Sequence, residues 1–421
     1  MKESFATVLK GMKGLIALIL AGVVLGLLVA EVGLRLLGMG QQGFYQWDTY
    51  RGWALRPGAS GWQRREGNAF VSINHDGMRD REHAYQKPKD TIRIAFIGDS
   101  FTEAEQVPME DDFVSVTEQR LAHCPRLHGM KVETMNFGCD SYGTAQELAT
   151  LRHVVWKYSP DIVVLTFFPG NDLRNNSINL EWHFCQPFYL LQGDQLVLGG
   201  PFINSEAFRT KCQIKFESRR SAVLNVIGNA FTQIRAEAKA KKPGHSNHQS
   251  RFAIGPAELG LDDDIYKAPE DPVWENAWTV TEKLLAMTND EVKEHGAQFL
   301  VVTATVGRQV YPNPIWRAKR EKNIGVTDLL YPDHRIEDLG RRTGFPVLDL
   351  VPPFQSYADE HHVFLHGFPN TKMGDGHWNE AGHQLAGELI AQRLCDLLDQ
   401  THTSPHAIRA SINPTSEKHS Q

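Results

Sequence analysis

The first pattern along the chain is an uncharged apolar run. Residues 14–30 carry no charge, and Val32, Leu34, Leu36 and Leu37 extend the apolar character. A run of 17 residues sits at the lower limit for crossing a bilayer as a helix. Lys2, Lys10 and Lys13 precede it, which places the amino terminus on the cytoplasmic side. The reading is a retained signal anchor over 14–37, with 1–13 cytoplasmic and the rest of the chain extracytoplasmic. A cleaved secretory signal is the rival. Its apolar region is normally shorter, and Leu28-Val29-Ala30 is a poor cleavage site. Arg51, Arg56, Arg64 and Arg65 on the far side blur the charge asymmetry.

Beyond residue 90, short apolar runs alternate with helical periodicity. The runs at 92–97, 132–135, 162–168, 299–304 and, more weakly, 347–348 read as strands buried on both faces. Helical patterns lie near 112–122, 145–157, 275–295, 336–343 and 380–398. In the last of these, Leu385, Leu389, Leu394 and Leu397 share one face. Strand alternating with helix predicts an α/β domain, a parallel sheet with helices on both faces, over 91–400. Residues 38–90, rich in Gly, Arg and aromatics, read as a preamble packed on that domain, with extended pieces such as Phe70-Val71-Ser72-Ile73. The stretch at 181–272 breaks the rhythm and reads as an insertion, with a mobile loop in its basic, polar part at 235–251. The tail at 401–421 has the composition of a disordered segment.

Composition sharpens this only in part. Of 421 residues, 41% are hydrophobic and 22% charged, a balance that supports a substantial core. The net charge is −6 and no domain is strongly basic, so nucleic acid is not an expected partner. None of the five cysteines stands in a C-x-x-C pair, and no zinc site is expected. Cys185 and Cys212 in the insertion are candidates for a disulfide outside the cytoplasm, and Cys139 reads as a small buried residue. His361-His362 lacks ligand spacing, and His383 reads as packing on or capping the last helix. Gly38-Met39-Gly40-Gln41-Gln42-Gly43 matches G-x-G-x-x-G, but it follows a membrane helix instead of a strand and reads as a linker. Neither a metal nor an organic cofactor is expected.

Polar, glycine-containing segments follow the strands, where open α/β sheets bind ligands. They are Gly98-Asp99-Ser100, the stretch from Asn136 through Gly138 and Ser141 to Gly143, Gly170-Asn171-Asp172, and Asp375-Gly376-His377-Trp378 ahead of the last helix. Together they suit nucleophilic acyl transfer. Ser100 would be the nucleophile, His377 the base that takes its proton, and Asp375 the carboxylate that orients the imidazole. The oxyanion would be met by the backbone N–H of Ser100, an N–H in the loop of Ser141 and Gly143, and the side-chain amide of Asn171. Trp378 reads equally as pocket lining or as core.

These segments resemble the SGNH (GDSL-type) hydrolase family, whose four blocks carry Ser, Gly, Asn and His in that order. Gly98-Asp99-Ser100 is similar to the nucleophile block and Gly170-Asn171-Asp172 to the asparagine block. The resemblance covers about 91–398 and implies a three-layer α/β/α flavodoxin-like fold and a serine esterase mechanism without cofactors. The anchor and preamble look like a membrane-tethered bacterial branch. Two positions depart from the pattern. Ser141 stands where the family's oxyanion glycine is usual, with Gly143 as the alternative. The usual D-x-x-H ending is shortened, so the aspartate lies two residues before His377. That D-x-H-W ending is similar to SGNH-like domains in alginate O-acetylation. Three functions follow as expectations: an esterase acting on an acyl (acetyl) ester of an envelope glycan or lipid, a polysaccharide O-acyltransferase using the same residues, and a non-catalytic envelope-binding protein.

Overall fold

The computed structural model describes residues 2–36, 43–182, 184–218 and 262–402, with most of 221–230. The basic loop at 235–251, the linker residues 37–42 and the tail beyond His402 lie outside the described residues. An amino-terminal helix, Lys2–Leu36, contains the stretch Met12–Leu36, which is long and apolar enough to cross a membrane and is not covered by the rest of the protein. Two hairpins follow. Strand β1 (Tyr45–Asp48) pairs with β2 (Gly52–Leu55), and β3 (Ser60–Gln63) with β4 (Ala69–Ser72). The main sheet is built from β5 (Thr91–Gly98), β6 (Lys131–Asn136) and β7 (Ile162–Phe167). A third hairpin, β8 (Phe188–Gln192) with β9 (Gln195–Gly199), interrupts it before β10 (Gln298–Thr303) and β11 (Val347–Asp349) complete it.

The five-stranded sheet runs β11-β10-β7-β5-β6, with every pair parallel. Counted within the sheet this is the order 2-1-3-4-5 of flavodoxin-like folds, and it reverses between β5 and β7. At such a switch point a crevice opens beyond the carboxyl ends of the strands. β5 and β7 are buried along their whole length, which is why both read as unbroken apolar runs. Ala95, Ile97, Val163, Leu165 and Val301 pack on helices Thr144–His153, Pro272–Glu294 and Tyr331–Thr343. Ile94, Phe96, Val164, Leu300 and Val302 face helices Phe113–Leu121, Val351–His361 and Glu380–His402. The expected α/β/α layers are present. Helices Pro314–Ile324 and Val351–His361 are additional to the expected ones. His361-His362 ends the second of them.

The preamble is sealed to the main domain by buried cations. Arg79, 1% exposed, donates to the Asp112 carboxylate (3.1 Å) and the Glu103 carbonyl (3.1 Å). Arg93 in β5 holds Glu133 (2.7 Å) and the carbonyls of Ala84, Tyr85 and Tyr158. A guanidinium buried this deeply is costly unless its donors are met; all three nitrogens of Arg93 are bonded, and Arg79 is held through its two terminal nitrogens.

Four of the five cysteines are bridged. Cys185–Cys212 joins the start of the insertion to helix Glu206–Ser218. Cys124–Cys395, which had not been expected, ties the turn after Phe113–Leu121 to the last helix across 271 residues. Cys139 is free and buried. Replacing Cys124 and Cys395 together by Ala is expected to lower unfolding stability by about 2–4 kcal/mol, because the crosslink no longer limits the unfolded chain. Denaturation with and without reductant checks this, and an unchanged midpoint would contradict it.

Candidate active site

Ser100 lies where β5 ends. Asp99 caps the short helix Ser100–Glu103, accepting the Phe101 N–H through Oδ1 at 2.9 Å. Ser100 is the first residue of that helix, and the leading N–H groups of a helix have no intrahelical acceptor. The β6 loop presses against this turn so closely that a Cβ on Gly138 would stand 2.3 Å from the Glu103 nitrogen. Only glycine fits there.

His377 arrives from the other end of the chain, in the loop before the last helix. Its Nε2 is 2.8 Å from Ser100 Oγ. The structure therefore brings these two expected residues together. It does not bring Asp375 to the imidazole. Gly376, at φ +83°, turns the chain between them, and the Asp375 carboxylate pairs with Lys372 instead.

The place expected for Asp375 is held by Glu66. One Glu66 oxygen accepts from His377 Nδ1 at 2.6 Å and the other from the His377 backbone N–H at 2.8 Å. Glu66 lies in the turn of the β3–β4 hairpin, 311 residues from His377. Asn370 clasps that turn, accepting from Gly67 N–H and donating to the carbonyls of Arg64 and Gly67. A Cβ on Gly376 would stand 2.1 Å from Glu66 Oε1, so a glycine there gives the carboxylate room. No spacing rule points to Glu66. The one local hint is an acidic residue inside a tight Arg-Glu-Gly turn.

A second histidine stiffens the His377 loop. The carbonyl of Gly376 can only accept, so His366 Nδ1 carries the proton that bonds it at 2.7 Å. His366 Nε2 then accepts from the Thr305 hydroxyl (2.8 Å), whose oxygen takes the Trp378 indole N–H (2.8 Å). Burial pushes His366 down to about 4, so the neutral ring this chain requires is the stable one. Trp378 is fully buried among Phe101, Phe113 and Phe354 and serves the core. His383 is buried too, its Nδ1 accepting from Phe113 N–H at 3.3 Å. Among the described residues no cluster of His, Cys, Asp and Glu could hold a metal ion.

The other expected residues lie in the segments that follow β6 and β7. Asn171 follows β7, and its amide donates one N–H to Asp99 Oδ2 at 2.9 Å. An amide nitrogen has two hydrogens, so this bond fixes the group and leaves the second donor. Ser141 has φ +61°, a left-handed conformation that favours glycine. Its carbonyl is held by Asn175 at 2.9 Å, and its hydroxyl and N–H lie against the Asp140 carboxylate. Gly143 is wedged against Asn175, with its N–H directed at Gln146 Oε1 (3.4 Å).

Charge in this site is tuned by burial. For His377, burial favours the neutral ring, but the charge and hydrogen bond of Glu66, with Asp99 and Asp140 behind, win and raise it to about 9. Burial works to raise Glu66, and the His377 charge and bonds outweigh it and hold its carboxyl below the usual range. Beneath the site, burial pushes Glu103, Glu147 and Asp172 well up.

No protein-family model matches the sequence, and no curated protein is significantly similar to it. Similar solved structures include an acetyl xylan esterase, at 14% identity and TM-score 0.37, over 72% of this chain and 100% of that one. A lipase/acylhydrolase from Enterococcus faecalis is 12% identical, TM-score 0.35, over 73% of this chain and 96% of that one. A catalytic mutant of an acetylxylan esterase from Geobacillus stearothermophilus is 10% identical, TM-score 0.36, over 72% and 94%. Likeness at this level carries no argument about activity, which rests instead on the geometry at Ser100.

Proposed function

We propose that this protein is a membrane-anchored serine esterase that hydrolyses an acyl ester, with O-acetyl groups of a cell-envelope glycan or a lipid as the substrate class. The observation that carries the reading is the chain of contacts from Ser100 Oγ to His377 Nε2 and from His377 Nδ1 to Glu66. His377 takes the serine proton as Oγ attacks the ester carbonyl, and Glu66 holds the ring and stabilises the imidazolium. The Ser100 N–H, the second Asn171 N–H and the Ser141 N–H, released from Asp140, receive the oxyanion. His377 then protonates the leaving alcohol, and water repeats the sequence to free the acid. Two disulfides support an oxidising compartment for the catalytic domain, in keeping with an anchor whose lysines stay in the cytoplasm.

The D-x-H-W ending favours one second reading, transfer of the acyl group to a polysaccharide hydroxyl in place of water. Fluorophosphonate labelling of the purified protein, followed by acetylated glycans and short-chain esters with and without a glycan acceptor, separates the two. Acid release without acceptor is expected. Product formed only with acceptor would favour the transferase, and absence of labelling at Ser100 would sink both.

The oxyanion assignment has its own test. Asn171→Ala is expected to lower kcat by about 10²–10³-fold with KM little changed. Ser141→Gly keeps the N–H and relieves a left-handed backbone, so it should retain most activity. If Ser141→Gly abolished turnover in a folded protein, the hydroxyl would be the functional group.

A further inference from the structure

The anchor helix is tied to the inserted region at one point. Glu31 is the first charged residue after the uncharged run at 14–30. Its carboxylate accepts from the Ser221 hydroxyl (2.8 Å), the backbone N–H groups of Ala222 and Val223 (3.0 Å each) and Arg35 (2.7 Å). A carboxylate that ends an apolar span belongs at the boundary between hydrocarbon and water, because its charge is too costly deeper in the bilayer. The groups that bond it must lie at the same depth. Immediately after them, Leu224, Val226 and Ile227 are 52%, 39% and 57% exposed, and residues 221–228 carry no charge.

Exposed aliphatic side chains fixed at that depth face lipid, not water. We propose that residues 221–224, with Val226 and Ile227, are a second membrane contact, lying in the outer interface beside the anchor with Leu224, Val226 and Ile227 among the acyl chains. The occupant of this apolar patch is the lipid surface, because the patch is continuous with the anchor through Glu31. The contact would fix the orientation of the catalytic domain on the membrane by adding a second point of attachment to the anchor. This inference rests on the anchor reading and not on the esterase chemistry.

The test uses the full chain in vesicles of phosphatidylcholine with phosphatidylglycerol. An environment-sensitive fluorophore is placed at Ile227→Cys, with Val226→Cys as a second site. Leu20→Cys reports on the anchor, and Ile315→Cys, 80% exposed on helix Pro314–Ile324, reports on the aqueous face. Cys139 is buried and stays unlabelled. Lipid-borne doxyl groups near the headgroup should quench the labels at 226 and 227 several-fold more than the label at 315. Aqueous iodide should do the reverse. Glu31→Ala should reduce the doxyl quenching at 227 and leave that at 20 unchanged. If 20 is quenched by lipid and 227 only by iodide, the second contact is wrong while the anchor stands. Quenching of 227 by neither agent would mean a protein covers the patch, and would also overturn the proposal. If 20 escapes lipid quenching, the anchor reading fails and the proposal falls with it.

Discussion

Ser100→Ala and His377→Ala are each expected to lower kcat by about 10⁵–10⁶-fold, and the double variant should be scarcely slower than either. The physical reason is that the two side chains perform one step. Without the imidazole the serine hydroxyl keeps its proton, and without the hydroxyl the base has nothing to activate. Both variants should fold, because Ser100 Oγ and the His377 ring make their mutual contact at the crevice and not in the core. Steady-state kinetics on a soluble acetyl ester measure this, with circular dichroism and melting curves as the folding control. Near-normal turnover by a folded Ser100→Ala variant would refute the serine esterase reading. Losses that multiply in the double variant would mean the residues act separately.

Glu66→Gln should cost about 10⁴-fold in kcat, whereas Asp375→Asn should change it little. The glutamine keeps the shape of the carboxylate but cannot stabilise the imidazolium, and its amide nitrogen can present a donor to Nδ1. The pH dependence makes the comparison sharper. His377 must be neutral to accept the serine proton, and Glu66 is foremost among the carboxylates that raise it to about 9. In the unaltered protein kcat/KM should therefore climb from neutral pH towards pH 9. In Glu66→Gln the raising influence is lost while burial still disfavours the imidazolium, so the rising limb must move to lower pH. Asp375→Asn should leave the limb where it is, because the Asp375 carboxylate is bound to Lys372. A limb that moved in Asp375→Asn and stayed put in Glu66→Gln would restore the aspartate to the role expected from its position.

The contrast between these two acids shows where reading along the chain runs out. Ser100 could be located because it follows β5, a strand recognisable by its own unbroken apolar run, and because a Gly-Asp-Ser turn after such a strand exposes a hydroxyl. His377 could be located because it precedes a helix with clear periodicity. For both, the informative neighbours lie within a few residues. The same holds for the sheet, whose five strands and most of whose helices carry their patterns locally, and for the uncharged span at 14–30. The hairpins of the preamble and helices Pro314–Ile324 and Val351–His361 were less legible, since short elements depend on what they pack against.

The sequence by itself therefore determined the layered α/β architecture, the candidate anchor and the proposed nucleophile and base, each through patterns a few residues long. Tertiary structure alone decided which carboxylate meets the imidazole. Asp375, two residues away, is turned aside by a left-handed glycine, and Glu66 is carried in by a hairpin that Asn370 and a glycine-sized gap hold in place. It decided likewise that Cys124 meets Cys395, and that Glu31 meets residues 221–223. These pairings depend on how distant elements dock, and docking is set by the summed burial of many side chains, which no local spacing encodes.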